Sequence, residues 1–310
     1  LLHSIRKKTL TGGETSMNIL GFGFRYKEVG YIHINVLQHG NISVTTPKSL
    51  YTFLLNGGIK GITKDLNQSN HIDLSKLSSS NSIYTEISGG YSHKLNEQWT
   101  IGGKVKFLLG QAYLGWRNKD LTINASMDKW DFKGNGDIVV AGPINMNALP
   151  QHINKSEIDA INTNELFRTD NVATLLKPSG YGAAIDLGFA YKPIEQVQIT
   201  TAITNLGFIY WSNSCKYTTS IDTSFTSFGD FGYGDYVINN SFQMDSMLNE
   251  IGDNIARITD AVHTKFSSKG FARMINMNFN VGVDANFWNN RVGVGVVSCT
   301  RLIDSRLYEE

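Results

Sequence analysis

Hydrophobic and polar positions alternate along much of this chain with the two-residue period of a β-strand. Over residues 83–95, Ile83, Ile87, Tyr91 and Leu95 share one face, with Thr85, Gly89 and His93 between them. Tyr84, Glu86, Ser88, Gly90, Ser92 and Lys94 share the other. Asn96-Glu97-Gln98 reads as a turn. Trp99, Ile101, Gly103, Val105, Phe107 and Leu109 then oppose Thr100, Gly102, Lys104 and Lys106. This predicts a long hairpin with one greasy and one polar side. Its strands exceed the usual soluble length of about 5–6 residues. They match the roughly 9–11 residues of a tilted membrane-spanning barrel strand.

The same signature recurs. Leu20, Phe22, Phe24 and Tyr26 alternate with Ile19, Gly21, Gly23 and Arg25. Residues 29–37 return after a tight Lys27-Glu28 turn, and Pro47 ends the extended run through Thr46. Residues 48–58 predict a short helix, and the Ser-, Asn- and Lys-rich 59–81 a loop. Gln111–Trp116 and Leu121–Ser126 read as two strands joined at Arg117-Asn118-Lys119. Residues 181–192 and 197–204 form another hairpin, and 275–287 with 292–296 a last one. That gives about ten strands in an antiparallel meander.

Two insertions interrupt it, at about 127–179 and 212–270. Long insertions suit the loops of an outer-membrane barrel better than a compact domain. The first holds Ile153–Phe167, one or two helical turns. In the second, Met244, Met247, Leu248, Ile251, Ile255, Ile258, Val262 and Phe266 follow helical spacing and predict an amphipathic helix. The expected fold is an all-β, antiparallel, up-and-down transmembrane barrel forming a single domain over 1–310.

Composition narrows the function more than the fold. The chain has 310 residues, 41% hydrophobic, with a mean hydropathy of −0.19. A barrel hides from hydropathy because only alternate residues face lipid. A net charge of +1 gives no electrostatic case for nucleic acid. Cys215 and Cys299 read as two unrelated thiols, with a single disulfide as the alternative. No export signal is visible, and the expectation is a segment starting inside a longer protein.

Several segments resemble an uncharacterised family of Bacteroidota-type outer-membrane barrels. They are Gly89-Gly90-Tyr91-Ser92-His93-Lys94-Leu95, then residues 101–112 from Ile101-Gly102-Gly103-Lys104 to Gly110-Gln111-Ala112, and Ile203-Thr204-Asn205-Leu206-Gly207-Phe208-Ile209-Tyr210-Trp211. The resemblance implies an architecture similar to long-chain fatty-acid transporter barrels and to the shuttle barrel of type IX secretion. It also implies an export signal and further strands at both ends, so an incomplete barrel is expected here. It supplies no activity.

Catalytic and cofactor chemistry finds little support. Gly21-Phe22-Gly23 lies within a strand, and the run Gly229 to Gly234 lacks the strand–turn–helix setting of a nucleotide site. His33 and His93 fall on strand faces, His39, His71 and His152 in loops or turns, and His263 near the end of the predicted helix. None shows zinc-ligand spacing. Ser92 and His93 are strand neighbours pointing to opposite faces, which argues against a barrel hydrolase.

The candidate functional residues are the lumen-facing charges Glu86, Lys94, Lys104 and Lys106. The lysines would attract an anionic solute, or, on the plainer reading, pair with Glu86 and other lumen carboxylates. Trp99, Trp116, Trp130, Trp211 and Trp288 sit mostly at strand ends, as aromatic girdles require. The expectation is a non-enzymatic barrel without catalytic, cofactor-binding or metal-binding residues. It would act as a solute channel or transporter, or as a scaffold in an envelope or secretion complex. Its partners would be outer-membrane lipid, an envelope or secretion protein, and a hydrophobic or small solute. The alternatives are a soluble, secreted or surface-attached β-sheet binding module and, less favoured, a barrel hydrolase.

Overall fold

The computed structural model describes residues 7–55, 70–126, 129–167, 177–226, 237–238, 241–242, 253, 256–288, 291–303 and 306–309. Its strands are β1 (Lys8–Tyr26), β2 (Gly30–Pro47), β3 (Asn70–Asp73), β4 (Ser78–Lys94), β5 (Trp99–Asn118), β6 (Thr122–Ala125), β7 (Lys129–Ala141), β8 (Gly180–Ile194), β9 (Val197–Trp211), β10 (Ser214–Thr226), β11 (Val237–Ile238), β12 (Ser241–Phe242), β13 (His263–Ser267), β14 (Phe271–Met274), β15 (Met277–Phe287), β16 (Val292–Ile303) and β17 (Arg306–Glu309). Fifteen of them form one sheet, in which β1-β2-β4-β5-β8-β9-β15-β16-β17 are successive antiparallel neighbours. The sheet curls into a half-barrel. The remaining two, β11 and β12, pair with each other.

Each predicted hairpin is present, and alternation sorts its faces. Ile87 and Val105, Phe107 and Leu187 lie exposed on the convex side, while Glu86, Lys106 and Leu108 are buried on the concave side. Bulges on the first sheet strands adjust the register: Ile19 is extra on β1, and Gln111 is extra on β5. An added residue bends and twists a strand, which helps a flat ladder curl.

Several elements differ from the sequence expectation. The segment Gln111–Trp116 continues β5, which runs unbroken to Asn118. Residues 78–81 open β4 rather than ending a loop, and 70–73 form β3. Both insertions contribute strands. β7 from the first pairs along its whole length with β10 from the second, Ser214↔Ala141 to Thr226↔Lys129. These strands escape the hydropathy pattern because their faces mix Gly, Asn, Asp, Ser and Thr with few apolar residues. Their partners are distant in sequence. The short helices Lys155–Asp159 and Thr163–Phe167 fall where helical turns were expected, and the helix Lys48–Leu55 follows Pro47.

Of the predicted helix over 244–266, the described residues 253 and 256–260 are helical, but His263–Ser267 is β13, paired with β10 from Lys216↔Ser267 to Ser220↔His263. An open β10 edge offers backbone hydrogen bonds that outweigh the helical spacing of Val262 and Phe266. Met244, Met247, Leu248 and Ile251 lie outside the described residues.

β7, β10, β13, β6 and β3 make an extension at the end of the sheet away from the β4–β5 and β8–β9 hairpin turns. It has its own apolar clusters, one around Trp130, Phe132 and Ile221, another around Met146, Cys215 and Tyr217. Cys215 and Cys299 are both free thiols. No helix among the described residues is long and apolar enough to cross a membrane, which says nothing of crossing by strands.

Candidate functional site: a buried charge cluster on the concave face

β4, β5 and β8 are adjacent, so inward residues at matched register meet. Leu37 lies opposite Glu86, Glu86 opposite Leu108, and Lys104 opposite Asp186. The long side chains reach diagonally across this ladder. Glu86, 2% exposed, accepts from Lys104 at 3.2 Å through Oε1. Its Oε2 lies 3.4 Å from Lys106 Nζ and 3.1 Å from His39 Nε2. Asp186 Oδ2 lies 2.8 Å from Lys106 Nζ and 3.7 Å from Lys104 Nζ.

The cluster is tied to a backbone irregularity. Between Ile185 and Leu187 the β8–β9 register shifts. Asn205 takes up the slack in the left-handed region, at φ 62°. Its backbone N–H donates to Asp186 Oδ1 at 2.7 Å, and its side-chain oxygen accepts from Lys106. Asn tolerates this conformation better than most residues. His39 completes the periphery: it stacks on Tyr84 at 4.8 Å between ring centroids and shares a 2.9 Å hydrogen bond with Ser16 Oγ.

The carboxylates of Glu86 and Asp186 balance the ammonium groups of Lys104 and Lys106. Buried charges demand this pairing, since an unpaired one costs several kcal/mol. Toward the extension, the concave side fills with Tyr84, Leu108, Tyr113, Ala184, Ile209, Trp211 and Ile275. A cavity of about 30 Å³ beside Tyr113, Trp211 and Asn276 has room for about one water. Glu14 on β1 reaches this level from the first strand. It accepts from Asn276 and lies 3.9 Å from Arg301 of β16.

The structure therefore brings Glu86, Lys104 and Lys106 together and places Lys94 elsewhere. Lys94 sits at the hairpin turn and pairs with Glu97 at 3.0 Å. The sequence reading did not assign His39, Asp186 or Asn205 to a site; it placed His39 in a loop or turn, whereas His39 lies within β2. Asp186 carried a legible signal, as the one acid on the inward face of 181–192. His39 and Asn205 could be found only with the register in hand.

Other histidines are placed away from the cluster. His71 lies in β3, not a loop, and bonds Asn124; His263 opens β13. His93 bonds the Tyr91 hydroxyl at 2.9 Å, on the face opposite Ser92. Among the described residues no three metal-ligating side chains converge.

The molecule is thus a curled antiparallel half-barrel with an apolar convex face and a buried, charge-paired cluster on its concave face. It belongs to DUF5723, a family of unknown function, which matches residues 1–310. No curated protein and no solved structure matches the chain.

Proposed function

We propose that this chain forms the wall of a bacterial outer-membrane β-barrel. It would be non-enzymatic, and the buried charge cluster on its concave side suits a scaffold or a gated transporter better than an open pore. One observation carries the reading. The convex face bears a continuous belt of exposed apolar side chains across β1, β2, β4, β5, β8, β9, β15 and β16. Phe22 is 64% exposed, Ile34 53%, Val105 67%, Leu187 55%, Phe208 51% and Val294 60%. A water-facing patch seldom exceeds a few hundred Å².

The height of the belt agrees. From Tyr181 to Tyr191 on β8 is ten steps of about 3.3 Å, which at a barrel tilt of about 40° spans about 25 Å, the apolar band of an outer-membrane barrel. Aromatics mark both margins. Trp99 stacks on Tyr191 at 4.4 Å near the hairpin turns, and Tyr181 and Tyr210 stand exposed at the other edge. Polar groups within the wall are bonded to each other. Thr85 donates to Gln38 at 2.8 Å, and Gln111 bonds both. In a medium without water such internal pairing is required.

The charge cluster supports the scaffold or gated reading. Ion pairs across β4, β5 and β8, with hydrogen bonds from His39 on β2 and Asn205 on β9, hold the curl and occupy the space a permanent pore would need. An envelope or secretion partner, or a hydrophobic solute, would engage the extension or the belt.

The test is extraction of the protein from membranes followed by gel migration with and without boiling. Recovery only in detergent, with a shifted unboiled band, is expected. Release by salt or urea with no shift would contradict the reading and favour a soluble binding module. In planar bilayers the wild type is expected to show no large constitutive conductance.

A further inference from the structure

The wall changes register at one seam. Along β5, Gly110 pairs with Gly180, where β8 begins, and Tyr113 pairs with Ala141, where β7 ends. Two strands therefore abut end to end on one side of β5, and the same break separates β9 from β10. The seam is stitched by local bonds. Ser179 N–H donates to the Gly110 carbonyl at 2.7 Å, and Asn213 Nδ2 donates to the carbonyls of Gly142 and Ile144 at 2.6 and 3.1 Å. These bonds hold Gly142–Ile144 as a ridge at the upper margin of the apolar belt.

A cavity lies on each side of the ridge, and Pro143 and Ile144 line both. One is a groove of about 820 Å³ walled by Ile42, Ile83, Ala112, Leu114 and Ile144 over Gly13. The outward amide Asn81 in this groove is already bonded to Ser79 and to the Leu114 carbonyl. The other cavity, about 510 Å³, is lined by Asn147, Lys177, Ser179, Ser212 and Ser268. Its described lining contains a cation and no carboxylate. Ser179, 1% exposed, has a buried hydroxyl with no hydrogen-bond partner among the described residues. A buried unpaired hydroxyl at a polar cavity is a place where a ligand oxygen gains a full hydrogen bond.

The geometry points to a seat for an anionic phospholipid: an acyl chain in the groove, and the phosphate-bearing headgroup in the polar cavity beside Lys177 and Ser179. Both volumes fall in the range of small-molecule sites. This inference rests on the membrane reading for its lipid source. The groove is continuous with the lipid-facing belt, and the polar cavity lies where that belt meets water.

The experiment uses the detergent-solubilised full chain, with phosphatidylglycerol or phosphatidylcholine added in mixed micelles and retained lipid counted by native mass spectrometry. Two variants separate the halves. Gly13→Leu fills the groove, because a Cβ there meets nothing within 4 Å. Lys177→Gln removes the cation. Wild type is expected to retain one phosphatidylglycerol in preference to phosphatidylcholine. Lys177→Gln should abolish the preference, a loss of about tenfold for one charge-assisted contact. Gly13→Leu should weaken both lipids alike. Deacylated glycerophosphoglycerol should bind far more weakly than the lipid.

Equal retention of the two lipids by wild type would overturn the seat, as would variants that retain phosphatidylglycerol unchanged. Deacylated headgroup binding as well as the lipid would do the same. Boiled and unboiled migration on the same preparations keeps the two claims apart. A heat shift without lipid preference sinks the seat alone. A preference without a heat shift sinks the barrel and supports the seat.

Discussion

Lys106 Nζ lies 2.8 Å from Asp186 Oδ2, tying β5 to β8 on the concave face, and the same ammonium is only 4% exposed. It also lies 3.4 Å from Glu86 Oε2. One lysine thus neutralises parts of two buried carboxylates. Replacing it with Met should leave both under-compensated and cost about 3–5 kcal/mol, the usual penalty for breaking a buried pair. The fourfold change Lys104→Met, Lys106→Met, Glu86→Leu, Asp186→Leu, which removes both cations with both carboxylates, should recover much of that loss. Urea or thermal unfolding in detergent checks both outcomes.

Asn205 holds a left-handed backbone at φ 62°. Asn205→Gly keeps the conformation and loses only the Lys106 contact. Asn205→Val adds the strain of a β-branched residue in that region and should be less stable than the Gly variant by about 1–2 kcal/mol. Equal stabilities of the two would show that the bulge relaxes.

Asp137, in the extension, is partly buried, which alone would raise its pKa. Lys119 at 2.8 Å and Lys216 at 3.2 Å outweigh that and hold the carboxyl below the ordinary range. A lowered folded value contributes stability above the unfolded value of about 3.9 and loses it as pH falls toward the folded one. The extension should therefore loosen in acid below about pH 4, and Asp137→Asn should flatten that part of the profile. Hydrogen exchange of β7 and β10 amides across pH reads this directly. An unchanged profile in the variant would contradict the assignment.

Burial pushes the Cys215 thiol up to about 11, although the Val140 backbone works weakly the other way. At pH 8 its thiolate fraction is then about one in a thousand. Cys299 is only partly buried. Maleimide should label Cys299 readily and Cys215 only after unfolding. Rapid labelling of both would mean that β10 opens in the native protein.

The sequence shows the hairpins where one face is uniformly apolar. Ile83–Leu95 with Trp99–Leu109 is the clearest case, because lipid-facing or core-facing positions admit few polar residues. It hides β7 and β10, since Lys129–Ala141 places Trp130 and Phe132 among Gly, Asn and charged residues and pairs with a strand far along the chain. It also hides the end of the helix: Val262 and Phe266 fit helical spacing, but β10 supplies a backbone edge. Glu86, Lys104 and Lys106 were legible together because they share one hairpin's inward face. His39, Asp186 and Asn205 come from other hairpins, and only the register shows that they converge.

The central claim is that the convex belt faces lipid. It is tested most directly at Val105, 67% exposed in the middle of that belt. In a Cys215→Ala, Cys299→Ser background, Val105→Cys would carry an environment-sensitive fluorophore, and the protein would be reconstituted into bilayers with brominated acyl chains. The account predicts blue-shifted emission strongly quenched by the bromines. Water-like emission untouched by brominated lipid but quenched by aqueous iodide would contradict it.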